Sequence, residues 1–139
     1  MGKKTAKSQT NDAEGANLYM TMTVADQLLG IPALMVEDIL AKRGKANAVD
    51  LRQRLNFPPR SRRAPTPIHV VVDHNSAPYG LVVDSLGEVM DLDIRTLEPL
   101  PETLHPDVSD VATGVHRVHG RLLVVVDVAR ILGGGSASA

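Results

Sequence analysis

Five histidines, four aspartates at the ends of apolar runs and a cluster of five arginines are the side chains that could do chemistry in this 139-residue chain. His116 and His119 stand three apart across a predicted hairpin. Residues three apart on an extended strand face opposite sides. With no cysteine and no dense carboxylate cluster to add ligands, they read as hairpin histidines rather than a metal site. Asp50, Asp73, Asp84 and Asp127 invite a magnesium or acid–base reading. They share no motif spacing, however, and aspartates at strand ends commonly cap turns. Ser85 follows Asp84 without a Gly-x-Ser-x-Gly elbow, and no phosphate-cradling loop of the Walker type is present. Arg52, Arg54, Arg60, Arg62 and Arg63 flank Pro58-Pro59. They form either a nucleic-acid patch or a solvated connector. No set of residues supports an enzyme, and no cofactor or metal is expected.

The elements that would position these groups are short and extended. Leu18, Met20, Met22 and Val24 alternate with Tyr19, Thr21 and Thr23, the period of a half-buried strand. Ala25-Asp26-Gln27 reads as a turn, with a returning strand over Leu28 to Pro32, whose proline belongs at the strand end. Leu34 to Leu40 continues as strand or short helix. Val49 to Leu55 passes from apolar to an Asp-Leu-Arg-Gln-Arg-Leu helical turn. Phe57 to Pro67 is a proline-rich basic connector, which excludes helix and central strand there. Ile68 to Asp73 and Tyr79 to Asp84 flank a turn at Asn75 to Pro78, and Val89 to Leu92 extends a further strand past a bend at Gly87. Leu97 to Asp107 holds three prolines and reads as loop. Val111 to Val118 and Arg121 to Asp127 flank His119-Gly120 as a hairpin, and Val128 to Leu132 forms a terminal helix ended by Gly133. Many short strands with close turns predict a mainly β fold of the small-barrel class.

Composition sets the outer limits. Hydrophobic residues make up 43% and aromatics 2%, with no tryptophan, so the core must be aliphatic and platforms for stacking bases are scarce. The net charge of −1 argues against a general polyanion binder. No apolar run approaches the ~20 residues of a membrane span, and Lys3-Lys4 leads into no apolar stretch of the secretory kind. These features predict a cytoplasmic protein with no direct membrane insertion and no nucleic-acid partner. Residues 1–16 read as a disordered tail and 133–139 as a flexible one. One domain over 17–132 lies between them, split by the connector into 17–57 and 68–132. A core of that size buries about two thirds of its unfolded surface.

Three stretches resemble the CheW-like chemotaxis coupling family: Tyr79-Gly80-Leu81-Val82-Val83-Asp84-Ser85-Leu86-Gly87-Glu88-Val89-Met90, Ala48 to Leu55 against the family's "VVDLRxRL", and Thr113 to Asp127 as its closing hairpin. The resemblance implies two small SH3-like five-stranded β-barrels with short helices and no catalytic activity. It also implies an adaptor that bridges the cytoplasmic tip of membrane chemoreceptors and the regulatory domain of a CheA-type histidine kinase. It implies a first barrel from 17–57 and a second from 68–132, with Ile68 to Met90 and Gly114 to Leu132 together in one closed sheet.

The likeness departs at one place. Val36-Glu37-Asp38-Ile39 resembles the family's "VxEI", but only Leu40 to Ala48 separates it from Val49-Asp50-Leu51-Arg52. A loop and helix are missing there, and Arg43-Gly44 resembles the remnant of "LRG". Carried over residue by residue, Val36 and Asp38 are the candidate kinase contacts and Arg43 the candidate receptor contact. Each also has a plain reading, as core, solvated acid and loop charge. The shortened first barrel is expected to be incomplete or rearranged, and to self-associate or exchange strands around residues 40–48, because an uncovered sheet edge invites pairing. Two rivals remain: a divergent variant that binds kinase without receptor, and a small-barrel nucleic-acid binder using Arg52 to Arg63.

Overall fold

The computed structural model describes residues 17–42, 44 and 46–134. The expected tail at 1–16, the part of the 133–139 tail beyond Gly134, and Arg43 lie outside the described residues. In chain order the strands are β1 (Leu18–Val24), β2 (Gln27–Pro32), β3 (Val36–Leu40), β4 (Asn47–Asp50), β5 (Ile68–His74), β6 (Ala77–Val83), β7 (Ser85–Asp91), β8 (Ala112–Val118) and β9 (Arg121–Val126). Two short helices join them, α1 (Leu51–Arg54) after β4 and α2 (Pro106–Val111) before β8. Single 3-10 turns lie at Ala33–Met35 and Ile94–Thr96, and a last helical turn at Arg130–Gly134 bends out of helical geometry at Gly133.

The strands form two sheets, one ordered β7-β1-β2-β9-β8 and the other β3-β5-β6-β4. Ile68 to Met90 and Gly114 to Leu132 therefore do not share one sheet. β5 and β6 belong to the four-stranded sheet, and β7, β8 and β9 to the five-stranded one. The chain crosses over at Asp84, whose N–H donates to Thr23 O on β1 (2.9 Å) instead of continuing the β5 ladder. Each sheet mixes strands from 17–57 and from 68–132, so the connector does not divide one sheet from the other. Four pairings produce this interleaving, β2 with β9 and β4 with β6 in parallel and β1 with β7 and β3 with β5 antiparallel.

Three hairpins turn on two residues each, Ala25-Asp26, Asn75-Ser76 and His119-Gly120, all at positive φ. That backbone matches the right-handed twist of the flanking strands. β1 shows the predicted alternation, yet both of its faces are covered. Met22 and Val24 enter the main core, whereas Tyr19 enters a smaller one with Leu28, Val118 and Leu123. The strand is central, between β7 and β2, and a register shift between Met20 and Met22 re-aims it. The main core joins Met22, Leu29 and Ile31 of the five-stranded sheet to Val70, Val72 and Leu81 of the other and to Leu51 and Leu55 of the α1 turn. Each such aliphatic side chain contributes roughly 1.5–3 kcal/mol on burial.

Three elements differ from their sequence reading. Where the sequence predicts a bend at Gly87 before a strand over Val89 to Leu92, β7 runs through Gly87 from Ser85 to Asp91. Leu34 to Leu40 is both alternatives in succession, a 3-10 turn and then β3. The loop expected through Asp107 ends earlier, because α2 starts at Pro106. Proline suits a first helical position, where its missing N–H would have no partner. His105 Nδ1 caps that helix by accepting from Asp107 N (3.2 Å).

Candidate functional site

The seam between the sheets has a polar end and an apolar end. At the polar end, the Asp84 carboxylate accepts from Arg52 Nε (3.0 Å) and Nη2 (2.8 Å), from Arg60 Nε (3.0 Å) and from the backbone N–H of Ala25 (2.7 Å). One side chain thus holds the β1–β2 turn, α1 and the proline-rich connector together. Arg52 also donates from Nη1 to Pro58 O (2.8 Å). Burial pushes the Asp84 carboxyl up, but the hydrogen bonds from Arg52, Ala25 and Arg60 outweigh it and hold its pKa below the ordinary carboxylate value. This is an ion-paired structural joint.

At the other end of β1, about 13 Å away for four residues of strand, lies an apolar groove of about 450 Å³. Tyr19 and Pro32 from one sheet face His74 from the other, with Met35, Ile94 and Leu97 completing the walls. Burial keeps the Tyr19 phenol pKa raised, so the ring presents a neutral hydroxyl. Ile94 is 55% exposed, and Leu34, next to Met35, is 72% exposed. An apolar groove with exposed aliphatic shoulders is a protein-docking feature.

β3 begins where this groove ends. Val36 is half-buried and packs against the main core. Asp38 is exposed on the strand, and its Oδ1 accepts from Ile39 N (2.8 Å). Val36 and Asp38 thus share one sheet edge, while Arg43 lies outside the described residues. β4, for which exchange between copies is an expectation, pairs with β6 of its own chain.

Several of the other residues singled out in the sequence have structural work. Asp50 caps α1 by accepting from Arg52 N (3.0 Å), and Asp127 caps the last helical turn through Ala129 N (2.9 Å). Arg54 donates to the carbonyls of Ile131 and Arg130 (both 2.9 Å). Three of the five clustered arginines are therefore committed inside the molecule, leaving Arg62 and Arg63 on the surface. Among the described residues no group of three or more His, Asp or Glu side chains is placed to hold a metal. Sequence reading missed the groove, because its walls come from six separated segments. It also missed the Asp84 joint, although Asp84 and Arg52 both sit in the stretches that carry the family resemblance.

The chain is thus a two-sheet β domain with an ion-paired seam and an apolar groove open to a protein partner. The chain belongs to the CheW-like domain family, whose model matches residues 43–135, well over half its length. It is accordingly a non-enzymatic adaptor domain of chemotaxis-type signalling. Its fold is similar to that of the crystal structure of the scaffolding protein TtCheW from Thermoanaerobacter tengcongensis. That likeness has a TM-score of 0.70 at 15% sequence identity, covering 84% of this chain and 87% of the other. No curated protein sequence matches the chain significantly.

Proposed function

We propose that this domain couples the cytoplasmic tip of a chemoreceptor to the regulatory domain of a CheA-type histidine kinase. In this reading the two sheets act as two SH3-like barrel units, the four-stranded one incomplete. Their faces are held at a fixed angle by the shared core and the Asp84 joint. The observation that carries it is the apolar groove between the sheets, which opens beside the β3 edge. A rigid groove recognises a partner through shape and a few aliphatic anchors rather than through charge. Val36 and Asp38 serve as kinase contacts and Arg43 as a receptor contact. The protein works in the cytoplasm, at receptor arrays reached through these partners. Among the described residues no helix is long and apolar enough to cross a membrane.

Binding of the purified kinase regulatory domain tests this reading. Asp38→Arg is expected to weaken that binding at least about tenfold, or about 1.4 kcal/mol, with an unchanged melting temperature. An absence of binding by the native chain across a range of salt removes the kinase-coupling claim.

A second reading, kinase binding without receptor, is favoured by the short link of residues 41–46 between β3 and β4. Retained kinase binding with no binding of a receptor tip separates it from the first. The nucleic-acid rival loses support from the internal use of Arg52, Arg54 and Arg60. Absence of any mobility shift with RNA or DNA at low salt dismisses it.

A further inference from the structure

We propose that the outer edge of β3 is a self-recognition site, at which a second copy of this chain pairs antiparallel about Leu40. The inference goes beyond the adaptor reading and does not depend on it. β3 is an end strand of its sheet, bonded only to β5. Glu37, Asp38 and Ile39 are exposed along it, and Ala41 and Lys42 are exposed beyond it. Among the described residues, neither Glu37 nor Lys42 has an ion-pair partner. An unpaired strand edge of this kind is a template for another strand.

Backbone geometry and charge select the register. The Ile39 N–H is taken by the Asp38 side chain rather than by β5, so it faces outward. In an antiparallel ladder, alternate residues exchange bonds with the same neighbour. Beyond the register shift between Val36 and Asp38, the outward groups therefore belong to Ile39 and Ala41, and a symmetric pair must set odd against odd. Centring on Asp38 puts that carboxylate opposite its own copy, which repels. Centring on Ile39 leaves Asp38 facing Leu40. Centring on Leu40 sets Asp38 against Lys42 of the second copy, twice by symmetry, and Ile39 against Ala41. The sequence Glu37-Asp38-Ile39-Leu40-Ala41-Lys42-Arg43 is charge-complementary to its own reverse about that residue. The two-fold arrangement is closed, so it yields a dimer rather than a fibre.

The pairing also gives the Asp38–Ile39 hydrogen bond a role. In the single chain Asp38 covers the one outward donor it can reach. In the pair it releases that N–H to the second copy's Ala41 carbonyl and turns to Lys42. The pairing straightens Ala41 and Lys42, where the single chain bends, and leaves five Cα–Cα steps from Lys42 to Asn47, a reach of about 17 Å. The return along β4 itself is short. Leu40 lies level with Asp50 and Val36 level with Asn47, through His69–Val82 and Val72–Tyr79.

The test is sedimentation equilibrium of the full chain up to about 1 mM, for the native chain and for Asp38→Lys, Lys42→Glu and Ala41→Pro. The native chain is expected to dimerise, less so at high salt. Asp38→Lys and Lys42→Glu are each expected to be monomeric alone, and to form a heterodimer when mixed in equal amounts, since the mixture restores both opposite-charge pairs. Ala41→Pro, which removes an outward donor, is expected to be monomeric. Heterodimer formation also shows that both charge variants fold. A native chain that stays monomeric overturns the proposal. So do dimers that persist in the single variants, and a mixture of the two charge variants that stays monomeric. None of these outcomes involves the kinase, so failure of kinase binding leaves this inference intact.

Discussion

Asp84 carries more of this molecule than any other side chain, because it ties a hairpin turn, a helix and a connector to one carboxylate. Its folded pKa is depressed, so the stability it contributes is present above the unfolded value of about 3.9 and is lost as pH falls through the folded value. Asp84→Asn is expected to cost about 2 kcal/mol at pH 7, and to flatten the acid-side loss of stability below about pH 4. Denaturation midpoints measured from pH 7 to pH 3 check both. Arg60 should matter less than Arg52. Its Nη2 is buried without an acceptor, and that desolvation offsets part of what its other bonds contribute. Arg60→Met is therefore expected to cost under about 1 kcal/mol, and Arg52→Met about 2 kcal/mol, by the same measurement. At this scale the sequence was half legible. Asp50 and Asp127 are turn-capping aspartates, as their positions at strand ends suggest. Asp84 looked the same in sequence, but its partners lie 32 and 24 residues upstream, and only the fold brings them to it.

At the scale of elements, period-two alternation and turn residues were enough to find the hairpins β5–β6 and β8–β9. The parallel pairings were hidden, because a strand's pattern of apolar residues says which face is buried and not which neighbour it meets. α2 was missed because three prolines in the stretch suggested loop, although Pro106 with Asp107 in the first turn is a helix-start signal. The hairpin turns themselves carry a testable cost. Ala25 and Ser76 hold positive φ of 51° and 63°, where a side chain crowds the backbone. Ser76→Gly is expected to raise stability by about 0.5–1 kcal/mol, seen as a melting temperature higher by a few degrees. Gly87 behaves in the opposite way. A Cβ there would run into the Thr21 hydroxyl, which donates to Glu88 O (2.7 Å). Gly87→Ala is expected to cost about 1–3 kcal/mol and to loosen β7 from β1, visible as faster amide exchange along both strands.

For the whole molecule, one continuous aliphatic core joins both sheets, so they move as a unit. Leu29 and Leu81 are fully buried on opposite sides of that junction. An adaptor requires such rigidity, because it communicates by holding two partners in fixed relation. The sequence conveyed the family and the aliphatic core. It did not convey the interleaving of the sheets, and hence not the groove, which exists only where Tyr19, Met35, His74 and Ile94 converge. The most direct test of the adaptor account is sedimentation velocity of the native chain mixed with a purified kinase regulatory domain and a soluble receptor-tip fragment. The account predicts a ternary species larger than either binary complex, lost when Leu34 and Ile94, the exposed shoulders of the groove, are both changed to Asp. Migration of all three components as separate species at physiological salt would contradict it.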